Sequence, residues 1–206
     1  MIRTMNIRSL ALAPAAAFVL CLGLAFPALA ERIPLNEISR YLNSLGTVTS
    51  AFTQVNPDGT VSTGTLYIHR PGRVRFEYAN DNTLVLASGG NVAIFDGKSS
   101  GGPQQYPLSQ TPLSIILAAN VNLGQANMVT GHTETENATV VTAQDPKHPE
   151  YGNIQMVFTP GPTELRQWVI TDDSGQKTTV ILGDLQKVGS MPASRFSITN
   201  EIGRRN

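Results

Sequence analysis

Beyond Gly46 the chain is written in short segments that alternate apolar and polar side chains, and these follow one another without helices between most of them. Period two is the signature of half-buried strands. It shows at 66–78, and β-branched runs bounded by turns extend the strand reading to ten segments: residues 47–56, 60–69, 74–78, 83–88 and 91–95, then 139–143, 153–159, 164–171, 177–185 and 195–199. Two stretches read as helix. In the first, after Pro34, Leu35, Ile38, Leu42 and Leu45 share one face with Tyr41 beside them, and Gly46 ends it. The second, 113–119, follows Thr111-Pro112, an N-cap and a proline at the first helical position. The order is thus helix, five strands, helix, five strands. It lacks the alternation of βαβ units, so the sheet is expected to be antiparallel. Helices this short and apolar do not stand alone, and the only large apolar surface on offer is the concave face of the sheet. The expected fold is mainly β with short helices: an unclosed antiparallel β-barrel, a strongly curved sheet, with helical lids over a concave apolar face.

Turn chemistry agrees with this division. Pro57-Asp58-Gly59, Gly89-Gly90 and Asp172-Asp173-Ser174-Gly175 separate neighbouring strands. Residues 97–110 read as a polar loop.

The first thirty residues stand apart. Arg3 and Arg8 precede an apolar run from Leu10 to Phe26, and Ala28-Leu29-Ala30 has the small-x-small form of a signal-peptidase site. Residues 1–30 are read as a signal peptide and 31–206 as one domain. The only cysteine, Cys21, falls inside the apolar run, so the mature chain has no disulfide and relies on an ordinary core. Once Arg3 and Arg8 are gone, thirteen basic side chains face fifteen acidic ones. That balance excludes a nucleic-acid binder working through a basic surface. The expectation is a soluble exported domain in the periplasm.

One residue breaks the pattern. Arg70 has the parity of Leu66 and Ile68, so it points to the apolar face. A two-residue Pro71-Gly72 turn would pair Ile68 with Arg75 and mix the two faces. A three-residue connection pairing Arg70 with Val74, Ile68 with Phe76 and Leu66 with Tyr78 keeps one face apolar except for Arg70. An unpaired charge buried there costs several kcal/mol. Either the guanidinium finds the unsatisfied carbonyls at a helix C-terminus, or its head stays in water.

The chain resembles the periplasmic outer-membrane lipoprotein carrier family, the LolA type. The similar segments are Ala51-Phe52-Thr53-Gln54, Gly64-Thr65-Leu66-Tyr67-Ile68-His69-Arg70-Pro71, Arg75-Phe76-Glu77-Tyr78 and Gly90-Asn91-Val92-Ala93-Ile94-Phe95-Asp96. Thr111-Pro112-Leu113, Asn153-Ile154-Gln155-Met156-Val157-Phe158 and Leu165-Arg166-Gln167-Trp168 complete the series. The resemblance implies an unclosed barrel with helical lids that carries acylated lipoproteins across the periplasm. It implies an inner-membrane ABC exporter as donor and, in many bacteria, an outer-membrane receptor as acceptor. It gives Arg70 the role of holding the lid closed. The chain ends soon after Phe196-Ser197-Ile198-Thr199, so a C-terminal extension found in some members is short here.

The expected lipid pocket comprises Leu42, Leu45, Phe52, Leu66, Ile68, Val74, Phe76, Tyr78, Phe95, Leu113, Ile116 and Leu117, each of which could equally be plain core. His132, Glu134 and Glu136 share one parity but read as a solvated strand face rather than a metal site. There is no G-x-S-x-G nucleophile elbow. The reading is a non-enzymatic, monomeric lipoprotein chaperone that needs no cofactor. Its rival is a periplasmic lipid- or lipoprotein-sensing domain of the same fold.

Overall fold

The computed structural model describes residues 32–99 and 101–205; the expected signal peptide lies outside them. The chain opens with α1 (Leu35–Ser44) and continues into β1 (Thr47–Val55), β2 (Val61–His69), β3 (Arg73–Tyr78), β4 (Leu84–Ser88), β5 (Asn91–Phe95) and β6 (Gln104–Pro107). A 3-10 turn at Leu108–Gln110 leads to α2 (Leu113–Leu117). Then come β7 (Val129–Glu134), β8 (Thr139–Gln144), β9 (Asn153–Thr159), β10 (Glu164–Thr171), β11 (Lys177–Leu182), β12 (Gln186–Lys187) and α3 (Ile198–Arg205).

All twelve strands form one antiparallel sheet, ordered β6-β5-β4-β3-β2-β1-β11-β10-β9-β8-β7, with β12 beside β1. The ends of that order, β6 and β7, are both edges, so the curled sheet does not close. The segment from Leu108 to Met128, with α2 inside it, runs from one edge to the other. Inward side chains such as Val48, Leu66, Phe76, Val92, Met156 and Trp168 share one buried cluster with Ile38 and Leu42 of α1 and Ile116 of α2. The mainly-β, unclosed antiparallel architecture with short helices is as expected.

Gly64 shows how the sheet bends. It lies opposite Phe52 on β1 and Tyr78 on β3. A Cβ there would stand 2.0 Å from the Glu77 carbonyl oxygen and 2.8 Å from a Phe52 ring carbon. Only glycine permits such an approach. The rings of Phe52 and Tyr78, 5.2 Å apart and edge-to-face, close over the gap it leaves.

Several expectations need correction. The loop expected at 97–110 contains β6, whose four residues are all exposed; a strand with no buried side shows no alternation. β7 was not expected, because this other edge strand is mostly polar and partly exposed. The strand expected at 177–185 stops at Leu182, where Gly183 donates to the Ala51 carbonyl oxygen, and resumes as β12. Residues 195–199 are not a strand: Ala193–Phe196 is a 3-10 turn and α3 follows. Phe196 and Ile198 are two apart, which five residues of alternation read as period two. In fact Ile198 pairs with Ile202 at helical spacing, and both pack on the convex face. The β2–β3 hairpin has a three-residue connection, but it consists of Arg70, Pro71 and Gly72, and Gly72 is left-handed (φ 71°). Ile68 therefore pairs with Val74 and Leu66 with Phe76. The register is shifted by two from that expected, which preserves the faces and leaves Arg70 in the turn.

The short C-terminus covers the back of the sheet. Phe196, Ile198 and Ile202 pack on Leu84, Leu86, Ala93 and Phe95. Arg75, buried on this convex side, bonds Glu77 at 2.6 Å, the Arg195 carbonyl oxygen at 3.1 Å and Glu201 at 3.1 Å. Burial raises the Glu201 carboxyl, but hydrogen bonds from Arg205 and Arg75 outweigh it, so its pKa is lowered. The clamp is accordingly complete above the ordinary carboxylate range and is lost as pH falls through the depressed value.

Candidate functional site

The site is built where the two lids meet the β2–β3 turn. α1 and α2 end with unsatisfied carbonyls, as all helices do, and Arg70 takes one from each. Its guanidinium donates to the Leu42 carbonyl oxygen of α1 and to the Ala118 carbonyl oxygen just after α2. It also donates to Asn43 Oδ1 at 3.2 Å. The turn itself adds backbone bonds: Arg70 N–H to the carbonyl oxygen of Gly46, between α1 and β1, and Gly72 N–H to the Leu117 carbonyl oxygen of α2, each 2.9 Å. Arg70 is half-buried, and that desolvation lowers its pKa; a guanidinium nonetheless keeps its charge. Its Nε is buried with no partner among the described residues.

A second set of bonds ties the lids to each other. Asn43 accepts the Val121 N–H and donates to the Val121 carbonyl oxygen, both at 2.9 Å. Ser39 accepts the Leu123 N–H at 3.1 Å. α1 is further attached to the sheet through Glu37, which accepts from Thr163, and Tyr41, whose hydroxyl accepts the Leu165 N–H. Sequence reasoning missed Asn43 and Ser39. The available signal was polar side chains on a short helix otherwise committed to burial.

Inside the sheet, lined by strand residues and the start of α2 and by none of α1, lies a cleft of about 570 Å³, within the ~300–1,000 Å³ range of small-ligand sites. Phe76, Tyr78, Val85 and Val92 form one wall, and Trp168, Ile170 and Val180 the other. Thr111, Pro112 and Leu113 bring the start of α2 to its rim, with Tyr106 and Tyr151 nearby. Tyr78 donates to Gln54 Oε1 at 2.8 Å. Burial pushes its phenol up to about 12, against the lowering effect of that bond, so the wall is neutral at physiological pH. Gln54, Gln110, Gln176 and Thr178 add polar groups to the lining, and Asp172 and Asp173 add charge.

Of the twelve expected pocket residues, Phe76, Tyr78 and Leu113 line this cleft. Leu42, Leu45, Phe52, Leu66, Ile68, Val74, Ile116 and Leu117 are buried in the continuous cluster between sheet and lids. Phe95 is a correction: it faces the convex side and packs under the C-terminal segment. Its neighbours Val92 and Ile94 have the inward parity. His132 Nε2 lies 2.9 Å from the Ile33 carbonyl oxygen, to which it donates. Among the described residues it does not converge with Glu134 and Glu136 into a metal-binding group, and no described helix is long and apolar enough to cross a membrane.

A cleft in an open barrel, together with two short helices pinned through one arginine, defines the class of lidded half-barrels. The family model described as outer membrane lipoprotein carrier protein LolA matches residues 43–199, and the chain belongs to that family. It is 25% identical over 194 residues to an outer-membrane lipoprotein carrier protein of Methylococcus capsulatus, covering 90% of this chain and 91% of that one. Among solved structures it is similar to an uncharacterized conserved protein from Thermus thermophilus (TM-score 0.46, 8% identity, 79% of this chain and 89% of that one). It is likewise similar to a LolA superfamily protein from Nitrosomonas europaea (TM-score 0.42, 10% identity, 80% and 98%).

Proposed function

We propose that this protein is a periplasmic chaperone that binds the acyl chains of lipoproteins released from the inner membrane and carries them to the outer membrane. Family membership and the lipoprotein-carrier relative support this reading. The observation that carries it is the cleft inside an unclosed barrel, walled by Phe76, Val92, Trp168 and Val180. Transferring one chain of about sixteen carbons from water is worth on the order of 10 kcal/mol at ~0.8 kcal/mol per CH₂. A lipoprotein therefore does not cross water unescorted, and a cleft that offers its chains apolar surface meets that need. The protein acts as a monomer and without covalent chemistry. It takes cargo from an inner-membrane lipoprotein-releasing ABC transporter and yields it to an outer-membrane receptor where one exists. The signal peptide, removed after Ala30, delivers the chain to this compartment.

Depletion of the protein tests the reading in cells. Lipoproteins bound for the outer membrane are expected to accumulate in the inner membrane, as measured by membrane fractionation. Unchanged sorting in a strain without a second carrier would overturn it.

A further inference from the structure

Trp168 is the only tryptophan of the chain. It sits on β10 between Met156 and Val180, is 1% exposed, and forms part of the cleft wall beside Phe76, whose ring it meets edge-on at 6.3 Å. Its indole Nε1–H is buried and has no hydrogen-bond acceptor among the described residues. This is unusual, because a buried indole N–H normally finds a partner, and leaving a donor unsatisfied is costly. The phenol and amide across from it are already used: Tyr78 donates to Gln54 Oε1 at 2.8 Å, and Gln54 Nε2 donates to Asn56 Oδ1 at 2.6 Å. Trp168 thus holds a donor that no described group of the protein satisfies, among the apolar side chains of Phe76, Met156 and Val180. Hydrocarbon offers it nothing. The strongest hydrogen-bond acceptor an acylated cargo carries into such a place is the carbonyl oxygen that joins each chain to its headgroup.

We propose that the Trp168 indole N–H is a polar subsite within the apolar cleft and takes an acyl carbonyl oxygen of the cargo. The inference rests on the carrier reading and refines it. It makes Trp168 a specificity residue that distinguishes acyl-linked chains from alkyl chains of equal length. It also fixes depth, because a carbonyl held at the wall sets how far its chain enters. Side chains over the indole must part for the carbonyl to reach Nε1, which couples recognition to chain entry.

Three synthetic lipopeptides with one peptide and matched chain lengths provide the test: two ester-linked chains, two ether-linked chains, and two ether-linked chains with an added N-acyl amide. Affinity of the purified protein for each is measured beside that of Trp168→Phe, which removes the donor and keeps an apolar ring. The wild type is expected to bind the ester probe roughly five- to tenfold more tightly than the ether probe, the scale of one hydrogen bond to an otherwise unsatisfied donor. The variant is expected to lose that preference and bind the ether probe no less tightly. A wild-type advantage on the ester probe assigns the ester carbonyl, and an advantage confined to the N-acyl probe assigns the amide. Equal ester-to-ether ratios in both proteins, with no wild-type advantage on the N-acyl probe, overturn the subsite and leave the carrier reading standing. Failure of the wild type to bind any probe overturns both. Should Trp168→Phe not fold, the wild type suffices: the indole N–H hydrogen-bonding band in ultraviolet resonance Raman spectra is expected to shift with an acyl probe and not with the ether probe. An unshifted band with every probe contradicts the subsite.

Discussion

Arg70→Leu is expected to load lipoprotein normally and to release it slowly. In the lidded form Arg70 makes hydrogen bonds to the ends of both α1 and α2, at Leu42 and Ala118. Bonds to a charged group contribute about 1.5–3 kcal/mol each. On the proposed carrier mechanism, chains entering under the lids would break them and leave the guanidinium beside hydrocarbon, which is costly unless the charge finds new partners. On that mechanism both effects would favour the lidded form over the loaded one and so weaken the hold on cargo. Leucine removes both, and a difference in interaction between two states is what shifts their balance. Transfer of a labelled lipoprotein from loaded carrier to receptor or membranes is expected to slow by roughly tenfold or more. Arg70→Lys is expected to fall between, since lysine keeps the charge without the planar fork that reaches two carbonyls at once. Unchanged release by a folded, normally loading Arg70→Leu protein would reduce Arg70 to a structural tie between turn and lids.

Gly64→Ala is expected to destabilise the domain without touching the lids. The added methyl would stand 2.0 Å from the Glu77 carbonyl oxygen, a backbone atom that cannot rotate away, and 2.8 Å from Phe52. Relief requires β2 and β3 to separate, which breaks ladder bonds and spreads the Phe52–Tyr78 pair. Overpacking of this kind costs about 1–3 kcal/mol, or roughly 3–10 °C in Tm for a domain of this size. Thermal unfolding followed by circular dichroism measures it. A Tm within a degree of wild type would show that the sheet relaxes freely at this bend.

The architecture was legible because concave-side strands alternate cleanly. β9 reads intermediate, buried, exposed, buried, intermediate, buried, intermediate, which is what its sequence shows. The edges were not legible, because β6 buries none of its four residues and β7 is largely polar. Strand pairing was readable only modulo two: faces follow parity, but the turn decides register, and Arg70 belongs to the turn. The convex cluster was hidden for a related reason. Phe95 and Phe196 are apolar without facing the cleft, and nothing local tells which side of β5 a C-terminal helix will cover. At the site, Arg70 stood out as a charge with apolar parity. Asn43 and Trp168 did not, since a hydrogen bond across seventy-eight positions and a missing acceptor are properties of the folded chain alone.

The carrier reading stands or falls on what occupies the cleft in the cell. Native mass spectrometry of the protein purified gently from periplasm, without detergent, answers this in one measurement. A complex of one protein with one acylated lipoprotein is the outcome that follows from the lidded apolar cleft, and its yield should rise in Arg70→Leu. Protein that emerges free of acylated lipoprotein, in wild type and variant alike, would contradict it.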